Sequence, residues 1–507
     1  MRRLWCLLAA LVAVPPPAAA QQQQSPASPG EGLAVVKHVL PNGMTFLFLA
    51  RRGAPTISFV THFRAGGVDE WTGISGTAHL FEHMLFKGSR TIGTNNLAAE
   101  QALFPTIDAA ADSFTAEFRK GAMADSGRLA QFRERVKTLE DSARSFVVSN
   151  ELDRILTENG AVGLNASTSN DVTNYYFSLP ANRAQLWFIL ESDRLRNPVL
   201  REFYSERDVV MEERRLRTET QPLGMLLEEY LEAAFRAHPY GRPVVGHASE
   251  IQAVSRNSAL EYFHRFYGPN NAVVAIVGDI NVDTMKAWAT RYFADIPAGE
   301  PHKPVVTQEP PQRGERRISV EFDANPQLLI GYHVPSAQHP DAPALQVLGQ
   351  VLTGGRTSRL FQRLVIRDRV ATNVGAFQFP GSLYPRLFTF QGVPIAPHTT
   401  EEIEKAVYEE IDRIQRDPPT DVELQRVRNQ AEAGSIQRLQ SNFGLAFQLS
   451  NSEALWYDWR RTFRDQAALS RVTAADVQRV ARTYFAPTNR TVATLVRPTK
   501  PATGGND

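Results

Sequence analysis

Residues 76–88 read Gly-Thr-Ala-His-Leu-Phe-Glu-His-Met-Leu-Phe-Lys-Gly, a pattern that predicts a helix ending at Gly88. His79 and His83 are four residues apart, so both imidazoles leave one face of this helix, with Glu82 beside them. Two neutral imidazoles on one face can hold Zn²⁺ while a nearby carboxylate deprotonates water. The spacing indicates a hydrolytic metal site. The alternative is an amphipathic helix with two ordinary histidines.

The length and composition describe an ordinary globular protein with several domains. A chain of 507 residues is too long for one core and predicts two to four domains. A net charge of +1, with 21% charged and 43% apolar residues, gives no indication of a nucleic-acid or anionic-membrane partner. We therefore expect no nucleic-acid partner.

The N-terminus predicts a secretory signal peptide over residues 1–20, followed by a flexible lead-in over residues 21–33. A mitochondrial presequence, the alternative, would be amphipathic rather than continuously apolar. The single cysteine, Cys6, lies inside the signal, so a metal site in the mature chain must use His and carboxylates. No later run approaches the roughly 18 apolar residues that span a bilayer. We expect a periplasmic or secreted protein without a membrane span in the mature chain.

Periodic patterns predict the fold class. Apolar runs on both sides of Asn42-Gly43 predict a β-hairpin over residues 35–49, and residues 56–64 predict a further strand before the histidine-bearing helix. Strands followed by helices in this order predict an α+β fold, with helices packed on a sheet in α/β sandwich layers. At about 100–150, apolar residues recur at alternating threes and fours, which predicts an antiparallel helical hairpin. We assign no chemistry to this hairpin.

The second half of the chain repeats the first. The segment around Pro269 resembles that around Pro487, an offset of 487 − 269 = 218, whereas Gly88 aligns with Gly354, an offset of 354 − 88 = 266. The first copy is therefore 266 − 218 = 48 residues longer between these points, close to the length of the helical hairpin. We predict two homologous domains in tandem, with the hairpin inserted in the first.

The repeat and the proline positions predict the domain boundaries. They are an N-terminal metal-bearing domain at 34–296, a Pro-rich linker at 297–316, a C-terminal homologous domain at 317–500 and a tail at 501–507. In the second copy, the two histidines and the glutamate are replaced by Leu345, Gly349 and Leu348. We therefore predict no metal site in the C-terminal domain.

A third protein ligand must come from elsewhere in the chain, leaving the fourth position of a tetrahedral metal for water. The richest carboxylate stretch is residues 202–214. Within it Glu206 and Glu213 are seven residues apart and share one helix face, whereas Glu212 is displaced from that face. The alternative is a solvated charged helix, and the residues alone leave both interpretations open.

Three stretches resemble the inverzincin peptidases of the pitrilysin/insulinase family, particularly short bacterial members similar to mitochondrial processing peptidase. They are residues 76–88, Leu164-Asn165-Ala166 with Tyr175-Tyr176-Phe177, and residues 206–213 with their glutamate pair. The resemblance covers essentially the whole mature chain. It implies two tandem α/β sandwich domains that form one half of a clam-shell chamber.

The resemblance implies a set of site residues and one Zn²⁺ per chain. His79, His83 and Glu213 match the zinc ligands, Glu82 the general base, and Glu206 an accessory glutamate that supports the site. The third ligand follows the second histidine by 213 − 83 = 130 residues, more than is usual in the family by about the length of the hairpin. The insertion accounts for this departure and leaves the ligand assignment intact.

The resemblance also implies how a substrate binds. In relatives, the strand that matches residues 164–168 lies at a sheet edge and receives a peptide as an added strand. Asn165 and Ala166 are the positions carried over as substrate-binding. The alternative is that Asn165 is only a strand-end residue.

One departure from the family predicts a partner. Many relatives carry an Arg and a Tyr seven residues apart in the later domain, where this chain has Val365 and Thr372. Neither side chain can donate hydrogen bonds as a guanidinium or a phenol does. We therefore expect a heterodimer in which a homologous subunit without zinc supplies the Arg and Tyr.

The residues and the resemblance together predict a zinc-dependent endopeptidase that hydrolyses peptides or unfolded polypeptides, as the catalytic subunit of that heterodimer. One alternative is a non-catalytic structural or binding subunit of such a peptidase complex. The complete set of His79, Glu82, His83 and Glu213 argues against it. The other alternative is a zinc hydrolase that acts on a non-peptide amide.

Overall fold

The computed structural model describes residues 32–498 as a mixed α+β chain with two sheets. The predicted signal peptide at 1–20, most of the lead-in and the tail at 501–507 lie outside the described residues. Within the described range, no helix is long and apolar enough to cross a membrane.

The first domain is built on a six-stranded sheet with the order β1-β2-β6-β3-β5-β4. The strands are β1 (Val36–Val39), β2 (Thr45–Ala50), β3 (Thr56–Phe63), β4 (Val162–Thr168), β5 (Thr173–Pro180) and β6 (Ala272–Gly278). β6 is parallel to β2, and the other neighbours are antiparallel. The predicted hairpin is β1 and β2, and β4 lies at the edge of the sheet.

Ten α-helices accompany this sheet within the described residues. They are α1 (Thr77–Met84), α2 (Leu97–Phe118), α3 (Ser126–Arg144), α4 (Glu151–Glu158), α5 (Ala184–Arg196), α6 (Phe203–Arg214), α7 (Pro222–Ala234), α8 (Ala248–Ala253), α9 (Arg256–Phe266) and α10 (Val282–Phe293). One face of the sheet packs on helices around a large apolar core, in which Phe59, Phe81 and Trp187 are buried. This core fixes α1 against the sheet.

The second domain repeats this architecture with one strand fewer. Its sheet has the order β7-β11-β8-β10-β9, with β7 (Arg316–Glu321), β8 (Gln327–Val334), β9 (Ala371–Phe379), β10 (Arg386–Pro394) and β11 (Arg490–Val496). The helices are α11 (Ala342–Thr353), α12 (Thr400–Arg416), α13 (Asp421–Gln440), α14 (Asn442–Trp456), α15 (Arg461–Arg471) and α16 (Ala474–Tyr484). β11 is parallel to β7 as β6 is to β2, and β9 lies at the edge as β4 does.

Helix α14 of the second domain packs on the sheet of the first. Its side chains Leu445 and Leu449 are buried against strands β3 and β6. The apolar cluster at this contact includes Val60 of β3 and Val273 and Val277 of β6. The second domain thus covers the face of the first sheet that the helices of the first domain leave open.

Helix α7 of the first domain packs in return on the second sheet. Leu226 and Tyr230 are fully buried there, in a cluster that includes Leu329 of β8 and Leu387 of β10. The Tyr230 hydroxyl also lies 2.8 Å from the Thr389 hydroxyl of β10. The two domains are therefore held together by reciprocal burial.

The predicted helical hairpin is formed by α2 and α3, which pack along each other, while α3 also packs against α6. The buried carboxylate of Glu140 accepts hydrogen bonds from the Tyr204 backbone N–H at 3.0 Å and from the Ser205 hydroxyl at 2.6 Å. The buried pair of Glu100 and Arg201 makes a second link at 3.0 Å. The hairpin thus braces the N-terminal end of the helix that carries the two predicted site glutamates.

Candidate metal centre

Helix α1 begins at an unusual junction. Gly76 precedes the helix with φ +86°, and an added Cβ there would lie 2.5 Å from the Val245 carbonyl oxygen, so the position requires glycine. The first turn is capped from a distance, because the Glu70 carboxylate accepts hydrogen bonds from the N–H groups of Gly76 at 3.0 Å and Ala78 at 2.7 Å. Burial raises the pKa of Glu70 to about 8, although these two donors oppose the shift.

The two histidines of α1 converge on one carboxylate of α6. His79 Nε2 lies 3.5 Å from Glu213 Oε1, and His83 Nε2 lies 3.3 Å from Glu213 Oε2. Donor atoms of these three residues all lie within 4.8 Å of one another. The hydrogen bond with His79 lowers the pKa of Glu213 to about 2, and the charges of His79, Arg217 and His83 add to this effect. The structure therefore brings together the three predicted ligands.

These donors fit Zn²⁺ in both chemistry and spacing. Zn²⁺ takes imidazole nitrogen and carboxylate oxygen at about 2.0–2.2 Å, and two ligand atoms of a tetrahedral site are then roughly 3.4 Å apart. The two nitrogen–oxygen separations at Glu213 are 3.5 Å and 3.3 Å. Both separations thus have the size expected for neighbouring ligands of one Zn²⁺.

Glu206 contacts the far side of one imidazole. Its Oε1 lies 3.0 Å from His83 Nδ1, and its Oε2 lies 2.6 Å from Lys87 Nζ. Burial alone would raise the pKa of Glu206, but the hydrogen bonds from His83 and Lys87 lower it overall. In the neutral tautomer whose Nδ1–H donates to Glu206, Nε2 of His83 keeps the lone pair that a metal ligand needs. Glu206 can therefore orient a ligand, which is the role expected of it.

Glu82 lies on the same helix as the histidines and contacts the edge strand. Its Oε2 accepts a hydrogen bond from the Thr168 hydroxyl at 2.6 Å, and Thr168 is the last residue of β4. This bond places the carboxylate between the metal ligands and the sheet edge. Asn165 and Ala166 lie on the same strand, and the Asn165 side chain accepts a hydrogen bond from the Ala166 N–H at 2.8 Å. Both predicted substrate-binding residues thus lie beside the candidate site.

A cavity of about 730 Å³ joins these groups. It is lined by His79, Glu82, His83, Lys87, Glu206, Glu213, Arg217, Val244 and Val245, and by residues 165–168 of β4. All of its lining residues come from the first domain. The predicted ligands, base, accessory glutamate and edge strand therefore share one open cavity.

The second domain has the corresponding helices without the chemistry. Leu345 and Leu348 of α11 are fully buried. In α13, the offset of 218 aligns Leu424 with the accessory glutamate (424 − 206 = 218) and Ala431 with the third ligand (431 − 213 = 218). Every position that matches a predicted metal-site residue is thus apolar or glycine.

The two positions that stand where relatives carry Arg and Tyr also belong to the second domain. Val365 follows α11, and Thr372 lies near the start of β9. Neither residue lines the cavity that holds the predicted ligands. Within the described residues, the chain therefore brings no Arg or Tyr from these positions to its own site.

Two family models match this chain. Residues 142–248 match the family described as Insulinase (Peptidase family M16), and residues 253–431 match the one described as Peptidase M16 inactive domain. This chain belongs to the insulinase family of peptidases, M16. The family predicted from the sequence is confirmed. Glu206 and Glu213 lie within the first matched segment, whereas the helix with both histidines precedes it.

Relatives in the M16 family carry protease names. Zinc protease PqqE of Helicobacter pylori (strain ATCC 700392 / 26695) is 29% identical over 360 residues, which are 68% of this chain and 78% of the relative. A probable mitochondrial-processing peptidase subunit beta of Arabidopsis thaliana is 24% identical over 487 residues, 90% of this chain and 80% of that relative. The chain is therefore a member of a zinc protease family.

Solved structures of the family share the fold. The crystal structure of a protease from Helicobacter pylori has a TM-score of 0.77 at 24% identity and covers 92% of this chain and 100% of its own. The crystal structure of a peptidase M16 inactive domain from Pseudomonas fluorescens has a TM-score of 0.72 at 16% identity, covering 92% and 98%. These likenesses confirm the predicted α+β class with two related sandwich domains.

Four residues at the site were not singled out from the sequence. Lys87 follows His83 by four residues and Arg217 follows Glu213 by four, so helical spacing alone could have indicated both. Glu70, which caps α1, lies six residues before Gly76, whereas Thr168, which holds Glu82, is brought to the site only by the tertiary fold. No local pattern could have found Thr168.

Proposed function

We propose that this chain is a zinc-dependent endopeptidase that hydrolyses peptides or unfolded polypeptides. The observation that carries the proposal is the convergence of His79, His83 and Glu213, with Glu82 in the same cavity as the edge strand β4. The family alone leaves open whether a member is catalytic. The ligand geometry and the adjacent carboxylate support a catalytic role for this one.

In the proposed reaction, His79, His83 and Glu213 hold one Zn²⁺. When bound, Zn²⁺ supplies Lewis-acid chemistry that acidifies water and polarises the scissile carbonyl. Glu82 accepts the proton of the attacking water and returns it to the leaving amine, because its carboxylate faces the cavity beside the ligands. Glu206 fixes the orientation of the His83 ring through the 3.0 Å hydrogen bond.

The edge strand supports a peptide as the substrate. β4 lies at the edge of its sheet and lines the cavity through residues 165–168. An unpaired strand edge can accept an extended peptide as a further strand, which places its backbone across the site. The Asn165 side chain, now bonded to the Ala166 N–H, would release that group to the peptide. This arrangement favours extended backbones over other amides.

The proposal includes a partner subunit and an exported location. All residues that line the cavity belong to the first domain, and Val365 and Thr372 are not among them. A homologous subunit without zinc would supply the Arg and Tyr donors from outside this chain. The predicted signal peptide would deliver the chain to the periplasm or the exterior.

Metal analysis and a peptide assay test the function. Purified protein should contain one Zn²⁺ per chain and cleave a fluorogenic peptide or casein, and a chelator should abolish the cleavage until Zn²⁺ is restored. Protein with bound zinc that cleaves only a small non-peptide amide would contradict the peptidase assignment. Protein without zinc or activity, alone and with its partner, would identify a non-catalytic subunit.

Native purification tests the partner. An affinity-tagged chain recovered from its host should carry a homologous chain that lacks His-x-x-Glu-His. An active homodimer as the sole product would contradict the heterodimer.

A further inference from the structure

Helix α6 changes form directly after the third predicted ligand. Residues Arg215–Glu219 form a π-helical segment, in which the Thr220 N–H donates to the Arg215 carbonyl at 2.9 Å. Helix α7 fixes this segment, because a Cβ added at Gly224 would lie 2.1 Å from the Arg217 carbonyl oxygen. Such π-helical turns occur frequently at functional sites. The backbone of Arg217 is therefore held in place at the mouth of the cavity.

The side chain of Arg217 is directed at the site but remains largely free. Its Nη1 lies 2.6 Å from Glu213 Oε1, yet the side chain is 74% exposed. Among the described residues, the other Lys or Arg that lines the cavity is Lys87, which is engaged by Glu202 at 3.4 Å and Glu206 at 2.6 Å. Arg217 is thus the cation of this cavity with N–H groups left to bind a ligand, since a guanidinium carries five of them.

A bound metal would free Arg217 further. The carboxylate of Glu213 is shared between the two imidazoles and this guanidinium. A carboxylate that ligates a dication offers less negative charge to a second cation, and the two cations repel each other. Arg217 can then turn toward a ligand that lies along β4, which lines the same cavity.

We propose that Arg217 selects peptides that carry a carboxylate close to the bond that is cleaved. The inference rests on the proposed function, because it names the substrate class of that site. A planar guanidinium binds a carboxylate through two parallel hydrogen bonds, a geometry that an uncharged amide does not satisfy. An Asp or Glu side chain and a free C-terminal carboxylate offer the same chemistry, and the experiment separates them.

The test uses full-length protein with its partner and peptides blocked at both ends. A Glu, Gln or Lys is placed at each position in turn around the cleaved bond, and matched peptides with a free or amidated C-terminus form a second set. At one position we expect kcat/KM to be about fivefold higher for Glu than for Gln, the size of one partly exposed ion pair. A preference confined to the second set would assign the carboxylate to the C-terminus. Equal kcat/KM values across both sets would overturn the inference.

Three variants assign the preference to Arg217. Arg217→Gln should abolish the discrimination, and Arg217→Glu should favour Lys over Glu. Arg215→Gln is the matched control, because Arg215 is exposed, lies two residues earlier and pairs with Glu212 at 2.5 Å. Zinc content is measured for each protein, so that a loss of metal is not mistaken for a change in specificity.

Binding separates this inference from the proposed function. Peptide affinity is measured by fluorescence anisotropy in the Glu82→Gln background, with and without Arg217→Gln. A Glu-over-Gln preference in binding that depends on Arg217 supports the inference. It does so even if the protein with Glu82 intact cleaves no peptide, and that lack of cleavage would overturn only the proposed function. An Arg217→Gln protein that loses zinc, or loses affinity equally for all peptides, would show that Arg217 only supports Glu213 and would overturn the inference.

Discussion

The two domains of this chain share a sheet topology but differ in what their equivalent helices carry. Helix α1 presents two histidines and a glutamate to a cavity, whereas the matching positions of α11 are Leu345, Leu348 and Gly349. The second domain keeps a cavity of about 630 Å³ beside α11 and β9. The fold and the cavity therefore persist without the metal ligands, and the ligands are not needed to form them.

The difference extends to the second ligand-bearing helix. Glu206 and Glu213 of α6 correspond to Leu424 and Ala431 of α13, and Leu424 is buried. Buried carboxylates and imidazoles cost desolvation free energy unless they are paired, whereas leucine gains from burial. The first domain instead keeps paired, partly exposed polar groups on the wall of a cavity, at positions where the second domain has apolar side chains or glycine.

The largest effect expected is on turnover. Glu82→Gln should leave the metal content unchanged and reduce kcat by about 10²–10⁴-fold, because the general base is lost while the ligands stay. Peptide cleavage and metal analysis on the same preparation check this. Glu212→Gln is the control, since Glu212 is exposed and paired with Arg215. A Glu82→Gln protein with normal turnover would refute the proposed mechanism.

The next effect tests whether the domains stabilise each other. Leu449→Ala in α14 and Leu226→Ala in α7 should each reduce the free energy of unfolding by about 2–5 kcal/mol, because both side chains are fully buried on the opposite domain's sheet. Denaturant unfolding, followed by a probe in each domain, measures it.

Both probes should shift together in both variants. Val422→Ala, at a side chain that is 80% exposed, should change little. A shift confined to the probe of one domain would show that the reciprocal helices do not couple the two halves.

A smaller effect is expected at the accessory glutamate. Glu206→Gln should weaken zinc binding or activity by about 10–100-fold, since the partner of His83 Nδ1 loses its charge. Competition with a chromophoric chelator measures the affinity. Leu424→Ala, at the equivalent position of α13, should alter stability but not zinc affinity. Equal zinc affinities and activities for Glu206→Gln and wild type would remove Glu206 from the site.

The smallest effect concerns acid sensitivity at the domain contact. His62 of β3 is fully buried, its Nδ1 lies 3.0 Å from the Ser450 hydroxyl of α14, and burial lowers its pKa to about 3. The folded chain keeps His62 neutral, while the unfolded chain binds a proton below about pH 6.5. This contribution to stability is therefore present above about pH 6.5 and is lost as the pH falls toward 3.

The size of this effect can be isolated with a variant. As the pH falls from about 6.5 to about 5, protonation of His62 in the unfolded chain should reduce the free energy of unfolding by about 1.6 kcal/mol. His62→Phe should not show this decrease. Denaturant unfolding at both pH values checks it, with His264→Phe as the exposed control. An identical pH dependence in wild type and His62→Phe would show that His62 is protonated in the folded state.

Much of the fold was predictable because its signals are local. The Asn42-Gly43 hairpin, the helical periodicity of α2 and α3 and the spacing of His79 and His83 each depend on a few neighbouring residues. The offsets between the repeated segments also predicted the two tandem domains. That α7 packs on the second sheet and α14 on the first could not be predicted, because an apolar helix face does not specify which sheet it covers.

The site divides in the same way. The sequence by itself determined that His79, Glu82 and His83 share a helix face and that Glu206 and Glu213 share another, because helical geometry fixes both spacings. That the two faces meet, with donor atoms within 4.8 Å, was decided by the tertiary structure. So was the bond from Thr168 to Glu82. Thr168 and Glu82 are 86 residues apart along the chain, and Glu206 and His83 are 123 apart, so only packing of the whole domain brings these groups together.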